Sequence, residues 1–274
     1  AAQPSVLTSY DEPLNTFSTN VVGTANVLEA SRHTDSVKSL IIVTTDKCYK
    51  NNEWIYGYRE VDELGGRDPY SASKACSEIV TDSYRKSFNT ANERTTLIAS
   101  ARAGNVIGGG DWTVNRLVTD AIIAASKNEK LGIRNPRSSR PWQHVLEPLS
   151  GYLMLGQLMF EEKDSIADAW NFGPSQSSNL TTEKLINLMN SEWSKIVGDF
   201  AVVPGARHEA GLLMLDSTKA RSCLGWDPIW NIKKTVKYTV EWYRLLLESD
   251  EVITDRQIDL YMQDALKSNA VWAT

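Results

Sequence analysis

Tyr70 and Lys74 stand four residues apart just after Pro69. Upstream of them an apolar run, Leu40-Ile41-Ile42-Val43, opens directly into Thr44-Thr45-Asp46-Lys47-Cys48-Tyr49. The fixed φ of Pro69 favours a helix start, so the phenol and the ammonium are expected one turn apart on one face. A phenol ordinarily titrates near ~10. A neighbouring cation favours the phenolate, which would make tyrosine a usable proton acceptor or donor near neutral pH. The spacing alone also describes a solvated helix face. Context separates the two readings: a β-branched run ending in hydroxyl and charged groups reads as a buried parallel strand whose carboxyl end carries functional side chains.

The elements that must position these groups follow from periodicity. Ala1 to Tyr10 reads as a loop. From Asn15 to Ser31, Phe17, Val21, Val22, Ala25, Leu28 and Ala30 recur at helical spacing and lead into the strand at Leu40 to Val43. The helix from Tyr70 to about Phe88 leads to a second buried strand, Thr95 to Ala101, ending at Arg102-Ala103-Gly104-Asn105-Val106-Ile107-Gly108-Gly109-Gly110. Alternation of strand and helix predicts a Rossmann-like parallel α/β sheet with ligands outside the carboxyl ends of its strands. Beyond Asp111, helices are expected near Arg116 to Lys127, Leu146 to Phe160, Thr182 to Trp193, Ser217 to Leu224, Lys233 to Leu247 and Asp255 to Leu266. Strands are expected near Lys130 to Arg134 and Ala169 to Phe172, with a loop at Asn135 to Pro141. The organisation read from this is a sheet-forming part over 1–110 with the reacting groups. A smaller substrate-binding lobe over 111–274 would interleave with the sheet near 140–175.

Composition narrows the classes. The chain has 274 residues, 42% hydrophobic and 23% charged, with a formal net charge of -5. That is the balance of a soluble globular protein, and it gives no electrostatic reason to expect nucleic acid. Cys48, Cys76 and Cys223 are odd in number and widely spaced, which argues against a disulfide framework or a zinc site. His33, His144 and His208 have no metal-ligand spacing, so no metal is expected. No apolar stretch approaches the ~20 residues that cross a bilayer, and Ala1-Ala2-Gln3-Pro4 does not read as a secretory leader. A cytoplasmic protein with no membrane partner is the expectation.

Taken together, Thr45 after a strand, Tyr70-Ser71-Ala72-Ser73-Lys74 on the next helix and the glycine-rich loop after the second strand resemble the extended short-chain dehydrogenase/reductase superfamily. The resemblance covers nearly the whole chain. It narrows to nucleotide-sugar 4,6-dehydratases at Thr45-Asp46-Lys47. Asp46-Lys47-Cys48-Tyr49, Trp54 to Glu60, Arg102 to Trp112, Ile133 to Pro136 and Arg140 to Val145 are similar to the branch of that family that acts on CDP-glucose, whereas thymidine-linked and GDP-linked relatives are expected to carry glutamate at the position of Lys47.

The resemblance implies NAD as cofactor, a nucleotide sugar as substrate and a homodimer built through the helix of Asn15 to Ser31 and the helix after Tyr70. It makes Tyr70 the acid/base at the C4 hydroxyl, Lys74 its electrostatic partner and a contact of the nicotinamide ribose, and Thr45 the hydroxyl partner of the substrate oxygen. Asp46 is assigned as the acid that protonates the departing C6 oxygen, which requires it to hold a proton, and Lys47 as the base at C5. Ala1, Ala2, Gln3, Thr44 and Ala103 are implied beside the cofactor. Asn105, Arg116, Arg134, Arg140, His144, Arg207 and Glu209 are implied at the nucleotide diphosphate or sugar, the arginines because guanidinium forks suit a diphosphate. Trp54, Trp112 and Trp142 are candidates for the pocket wall.

No G-x-G-x-x-G occurs, and Gly108-Gly109-Gly110 lacks the third spaced glycine. The superfamily carries that loop well before the region matching Ala1, so roughly the first two βα units, ~70 to 90 residues, are expected to be missing. The alternatives are another nucleotide-sugar dehydratase, an epimerase, which needs no acid for a C6 leaving group, and a catalytically silent nucleotide-binding fragment.

Overall fold

The structure, a computed structural model, describes residues 2–88, 96–133, 135–161, 163–200 and 211–273. The amino-terminal segment forms a short helix, α1 (Val6–Asp11), where a loop was expected. Its first turn is capped by the Ser5 hydroxyl, which accepts from the Thr8 amide. A longer helical stretch follows, from α2 (Pro13–Phe17) through a π-helical turn at Ser18–Val22 into α3 (Gly23–Arg32).

Strand β1 (Ser39–Val43), helix α4 (Pro69–Phe88) and strand β2 (Leu97–Ala103) come next. After them lie β3 (Asn105–Ile107), α5 (Leu117–Ser126), β4 (Lys130–Gly132), β5 (Ser139–His144), α6 (Leu146–Phe160) and β6 (Ala169–Phe172). The chain continues through β7 (Asn179–Thr181), α7 (Thr182–Glu192) and β8 (Val197–Asp199). Beyond the segment 201–210 come a π-helical turn at Ala220–Leu224, α8 (Ile232–Ser249) and α9 (Thr254–Lys267).

The main sheet has the order β1-β2-β6, all parallel, with Val43 beside Ala101 and Ala103 beside Phe172. Both faces are covered, so every residue of β2 is buried. On one face α6 and the turn at Ala220–Leu224 close a core of Leu97, Ala99, Leu155, Met159, Trp170, Phe172 and Trp226. Gly151 is required there, since a Cβ would lie 2.3 Å from the Phe172 ring. On the other face Leu28 of α3 packs with Ile42 and Ile98, with Val80 and Tyr84 of α4 against them.

A second sheet, β3-β5-β7, begins where β2 ends. Strand β5 starts at Ser139, inside the stretch expected as a loop, because Asn179 to Thr181 of β7 offer Ser139 to Pro141 an antiparallel partner. A larger core beneath it joins α5, α7 and α8 through Ile122, Trp142, Leu185, Met189, Val236, Val240 and Trp242.

Two features tie the carboxyl-terminal helices to this frame. Gly225 adopts φ 67 and caps the turn before it, as its position after Leu224 suggests. Glu147, fully buried in the first turn of α6, accepts from the amides of Ile229 (2.9 Å) and Trp230 (2.7 Å) and from the Tyr261 hydroxyl (2.9 Å). Burial pushes its carboxyl up to about 7, against the pull of those donors. All three cysteines are free. Among the described residues no helix is long and apolar enough to cross a membrane, and no cluster of His, Cys, Asp or Glu could hold a metal ion.

Candidate active site

The carboxyl end of β1 turns immediately into a 3-10 turn at Asp46–Cys48. Thr45 is its N-cap, its hydroxyl accepting from the Lys47 amide at 3.3 Å and donating to Asp46 Oδ1 at 3.0 Å. Helix α4 starts at Pro69, as its ring favours, with Asp68 binding the Ser71 amide and hydroxyl. These two element ends bring the Thr45 hydroxyl beside the Tyr70 phenol, where it acts to lower the phenol's pKa.

Tyr70, Lys74 and Glu78 occupy one face of α4, and all three are buried. The expectation that Lys74 lowers the Tyr70 phenol is corrected here. Burial pushes that phenol up to about 12, with the Thr45 hydrogen bond offsetting part of the rise and the Asp46 charge adding to it. Lys74 donates from Nζ to the Val43 carbonyl at 3.3 Å. Burial also holds its ammonium below the usual lysine range, with the Glu78 carboxylate opposing.

Beneath the strand ends runs a buried polar network that sequence reasoning missed. Glu78 forms an ion pair with Arg102 at 2.8 Å and accepts from the hydroxyls of Thr44 and of Ser100, the latter at 2.7 Å. Arg102 reaches on to the Tyr49 hydroxyl (2.7 Å) and the Glu60 carbonyl (3.2 Å), and Tyr49 donates to Asn171 Oδ1 at 2.8 Å. Burial would push Glu78 up, but the hydrogen bond and charge of Arg102 hold it below the usual carboxylate range. The legible signal was periodicity: Glu78 continues the four-residue spacing of Tyr70 and Lys74, and Ser100 and Arg102 share one face of β2.

Above these ends lies a cavity of about 1040 Å³, at the upper end of the ~300–1,000 Å³ of ligand sites. Thr44, Thr45, Lys47, Tyr70, Ala103, Asn105, Arg116 and Arg140 line it. Asp46 and Lys74 stand just behind the wall, Asp46 with Oδ2 buried and without a hydrogen-bond partner among the described residues. Lys47 Nζ lies 3.8 Å from the other oxygen, Oδ1. Asn105 Oδ1 is likewise buried and without a partner among the described residues. Arg140 is buried, donating to the carbonyls of Ser139 (2.8 Å) and Gly211 (3.4 Å), whereas Arg116 is half exposed and paired with Asp111 at 2.9 Å.

Several expected positions fall elsewhere. Ala2 and Gln3 lie off the cavity and their neighbours Pro4 to Leu7 form its wall, because Gln3 is turned inward and bound through its amide groups to Thr16 and Asn20. His144 does not line the cavity. It is buried edge-on against Trp230 at 4.8 Å, and burial holds its imidazole down to about 3. Of the three tryptophans, Trp142 lines the cavity; Trp54 stacks on Tyr58 (5.3 Å) and Trp112 packs edge-on against Tyr243 (5.3 Å). Ala1, Arg134, Arg207 and Glu209 lie outside the described residues. Gly108 and Gly109 serve packing: added Cβ atoms would meet Val145 at 2.7 Å and the Trp242 ring at 2.1 Å.

A doubly wound parallel sheet with Thr45 and Tyr70 meeting at its carboxyl edge defines a Rossmann-type protein of the short-chain dehydrogenase/reductase kind. A sequence profile of the family described as GDP-mannose 4,6 dehydratase matches residues 1–239, so the chain belongs to that family. It is 42% identical over 267 residues to CDP-glucose 4,6-dehydratase of Salmonella typhimurium, a match that covers 96% of this chain and 74% of the relative. It is 30% identical over 82% of its length to the low-salt glycan biosynthesis protein Agl12 of Haloferax volcanii, covering 68% of that protein. The fold is also that of the dTDP-glucose 4,6-dehydratase DesIV of Streptomyces venezuelae, solved with NAD bound, at a TM-score of 0.73 and 21% identity, covering 89% of this chain and 71% of that one.

Proposed function

We propose that the protein is an NAD-dependent hydro-lyase that converts CDP-glucose to CDP-4-keto-6-deoxyglucose. The observation that carries this reading is Thr45-Asp46-Lys47 in a capped 3-10 turn beside Tyr70, in a chain 42% identical to a CDP-glucose 4,6-dehydratase.

The residues present fit the nicotinamide-ribose half of the cofactor. Among the described residues Lys74 makes one hydrogen bond, to Val43, so its ammonium keeps donors for ribose hydroxyls, and the ends of β1 and β2 give small or hydroxylated side chains at Thr44 and Ala103. When bound, NAD supplies the hydride acceptor at C4 and the hydride donor at C6. In this reading Tyr70 takes the proton of the C4 hydroxyl while Thr45 holds that oxygen, and a C4 ketone results. The ketone acidifies the C5 hydrogen, which Lys47 removes as a proton. The C6–O bond breaks as Asp46 protonates the departing oxygen, water leaves, and Lys47 returns its proton to C5 as C6 takes back the hydride. Asp46 suits this task because its buried Oδ2 has no hydrogen-bond partner among the described residues. Arg140, Arg116 and Asn105 hold the diphosphate and sugar.

The same reading divides the chain into a cofactor-binding and catalytic part over 1–110 and a mainly substrate-binding part over 111–274. It makes the protein a cytoplasmic homodimer. Exposed Leu14, Val22, Val27 and Ile79 on the helices from α2 to α4 support that pairing face. Light scattering is expected to give twice the chain mass.

The test is to incubate the chain with NAD+ and CDP-glucose and measure the ultraviolet absorbance of the 4-keto product in alkali. Product formation that Tyr70→Phe abolishes is expected. CDP-glucose binding without product would replace this reading with a silent nucleotide-binding module.

A further inference from the structure

The face of α4 that carries Tyr70 and Lys74 continues, one turn on, to a carboxylate. Glu78 is the natural partner for a buried lysine four residues before it. Yet among the described residues no ion pair joins Lys74 to Glu78. Both oxygens of Glu78 are committed elsewhere: Oε1 accepts from the Thr44 hydroxyl, and Oε2 accepts from Ser100 at 2.7 Å and from Arg102 Nη2 at 2.8 Å. Lys74, Glu78 and Arg102 are all more than nine-tenths buried. A cation between a carboxylate and its alternative partner decides which ammonium stays uncompensated in a low dielectric.

We propose that Arg102 is a positioning residue for Lys74: by holding Glu78 it keeps that carboxylate from capturing the ammonium, whose remaining donors then stay available to ribose hydroxyls. The inference rests on the role of Lys74 proposed above. Remove Arg102 and the unpaired Glu78 carboxylate turns to the ammonium one helical turn away. The ammonium is then held by a carboxylate of its own helix, which favours its charged form and withdraws its donors from the ribose.

Other groups around the cluster are held constant in this comparison. Cys48 from the 3-10 turn faces Lys74 and Arg102, and Asp46 faces Tyr70. Arg85, paired with Asp82 and Asp168, faces Glu78; Tyr49 and Glu60 face Arg102; Arg116 and Asp68 face Tyr70.

The test reads Lys74 directly, without turnover. In full-chain protein carrying 13C-labelled lysine, the Lys74 Cε resonance is assigned by its loss in Lys74→Met and followed from about pH 6 to about pH 11. Arg102→Met is expected to raise the midpoint by about 1 unit or more, and Glu78→Gln to lower it. The double variant is expected to fall between them. Arg102→Lys keeps a cation but not the reach to Tyr49, and is expected to titrate near the parent. An unmoved midpoint in Arg102→Met, as when Glu78 takes up a proton instead, overturns the proposal. So does Arg102→Lys behaving like Arg102→Met, which would make the residue a structural tie.

If Arg102→Met does not fold, Glu78→Gln decides, and an unmoved midpoint there overturns the proposal equally. A parent protein without turnover whose Lys74 midpoint nonetheless moves as stated would remove the proposed function and leave the charge arrangement standing.

Discussion

The indole of Trp242 lies so close to the backbone of Gly109 that a Cβ on that glycine would sit 2.1 Å from the ring. Helix α8 can therefore approach the loop after β3 only where the chain has no side chain. Gly109→Ala is expected to destabilise the fold by about 1–3 kcal/mol, the cost of overpacking a filled core. A lower denaturation midpoint at unchanged m-value in a urea titration checks this. An unchanged midpoint would mean that Trp242 moves aside without cost.

Glu147 makes stability depend on pH in a direction unusual for a carboxylate. Its pKa is raised by burial from 4.5 to about 7. The folded state thus binds the proton more tightly than the unfolded one. The contribution is fully present below about 4.5 and is lost as pH rises through about 7, on the order of 3 kcal/mol in total. Glu147→Gln cannot titrate. Melting temperatures of the two proteins are expected to differ more in favour of the variant at pH 8 than at pH 5, and a constant difference would show that Glu147 titrates as an ordinary carboxyl.

Lys47 faces the cavity while Asp46 stands behind it. If Lys47 is the base at C5, Lys47→Met keeps transient oxidation at C4 and stops exchange of the C5 hydrogen with solvent. Mass spectrometry of sugar recovered from D2O reads this. Undiminished exchange assigns the base to another group.

Arg140 and Arg116 differ in burial, and their variants are expected to differ with it. A charged hydrogen-bond donor in a buried site contributes about 1.5–3 kcal/mol, so Arg140→Met raises KM for CDP-glucose about tenfold or more. Arg116 is half exposed and ion-paired with Asp111, and Arg116→Met raises KM about fivefold or less, in keeping with the small worth of exposed pairs. Steady-state kinetics with kcat reported separately tests the order of the two.

The elements that sequence made legible are those with enough residues to show a period. Strand β1 and helices α4, α6, α8 and α9 were readable from β-branching or helical spacing, and their ends agree with the structure to within a few residues. Strands β3, β7 and β8 have three residues each, too few for any period, and exist because a partner strand lies beside them. At the site, Thr45 and Tyr70 were legible because a strand end and a proline-started helix bring them together. The rise of the Tyr70 phenol was not, since burial depends on what covers the residue, and the spacing to Lys74 shows only its partner. His144 reads as a polar candidate in sequence, and only the packing of Trp230, far along the chain, makes it part of the core.

The wall at Pro4 to Leu7 hangs from a reciprocal pair in which the Gln3 amide donates to Asn20 Oδ1 (2.8 Å) and Asn20 Nδ2 donates to the Gln3 carbonyl (3.1 Å). Asn20 is held in turn by the hydroxyls of Ser73 and Ser77 on α4, each at 2.8 Å. Every member of this clasp is an amide or a hydroxyl, so neither acid nor salt acts on it. Salt can alter what the cavity attracts through Lys47, Arg116 and Asp111, while the amino-terminal wall keeps its shape.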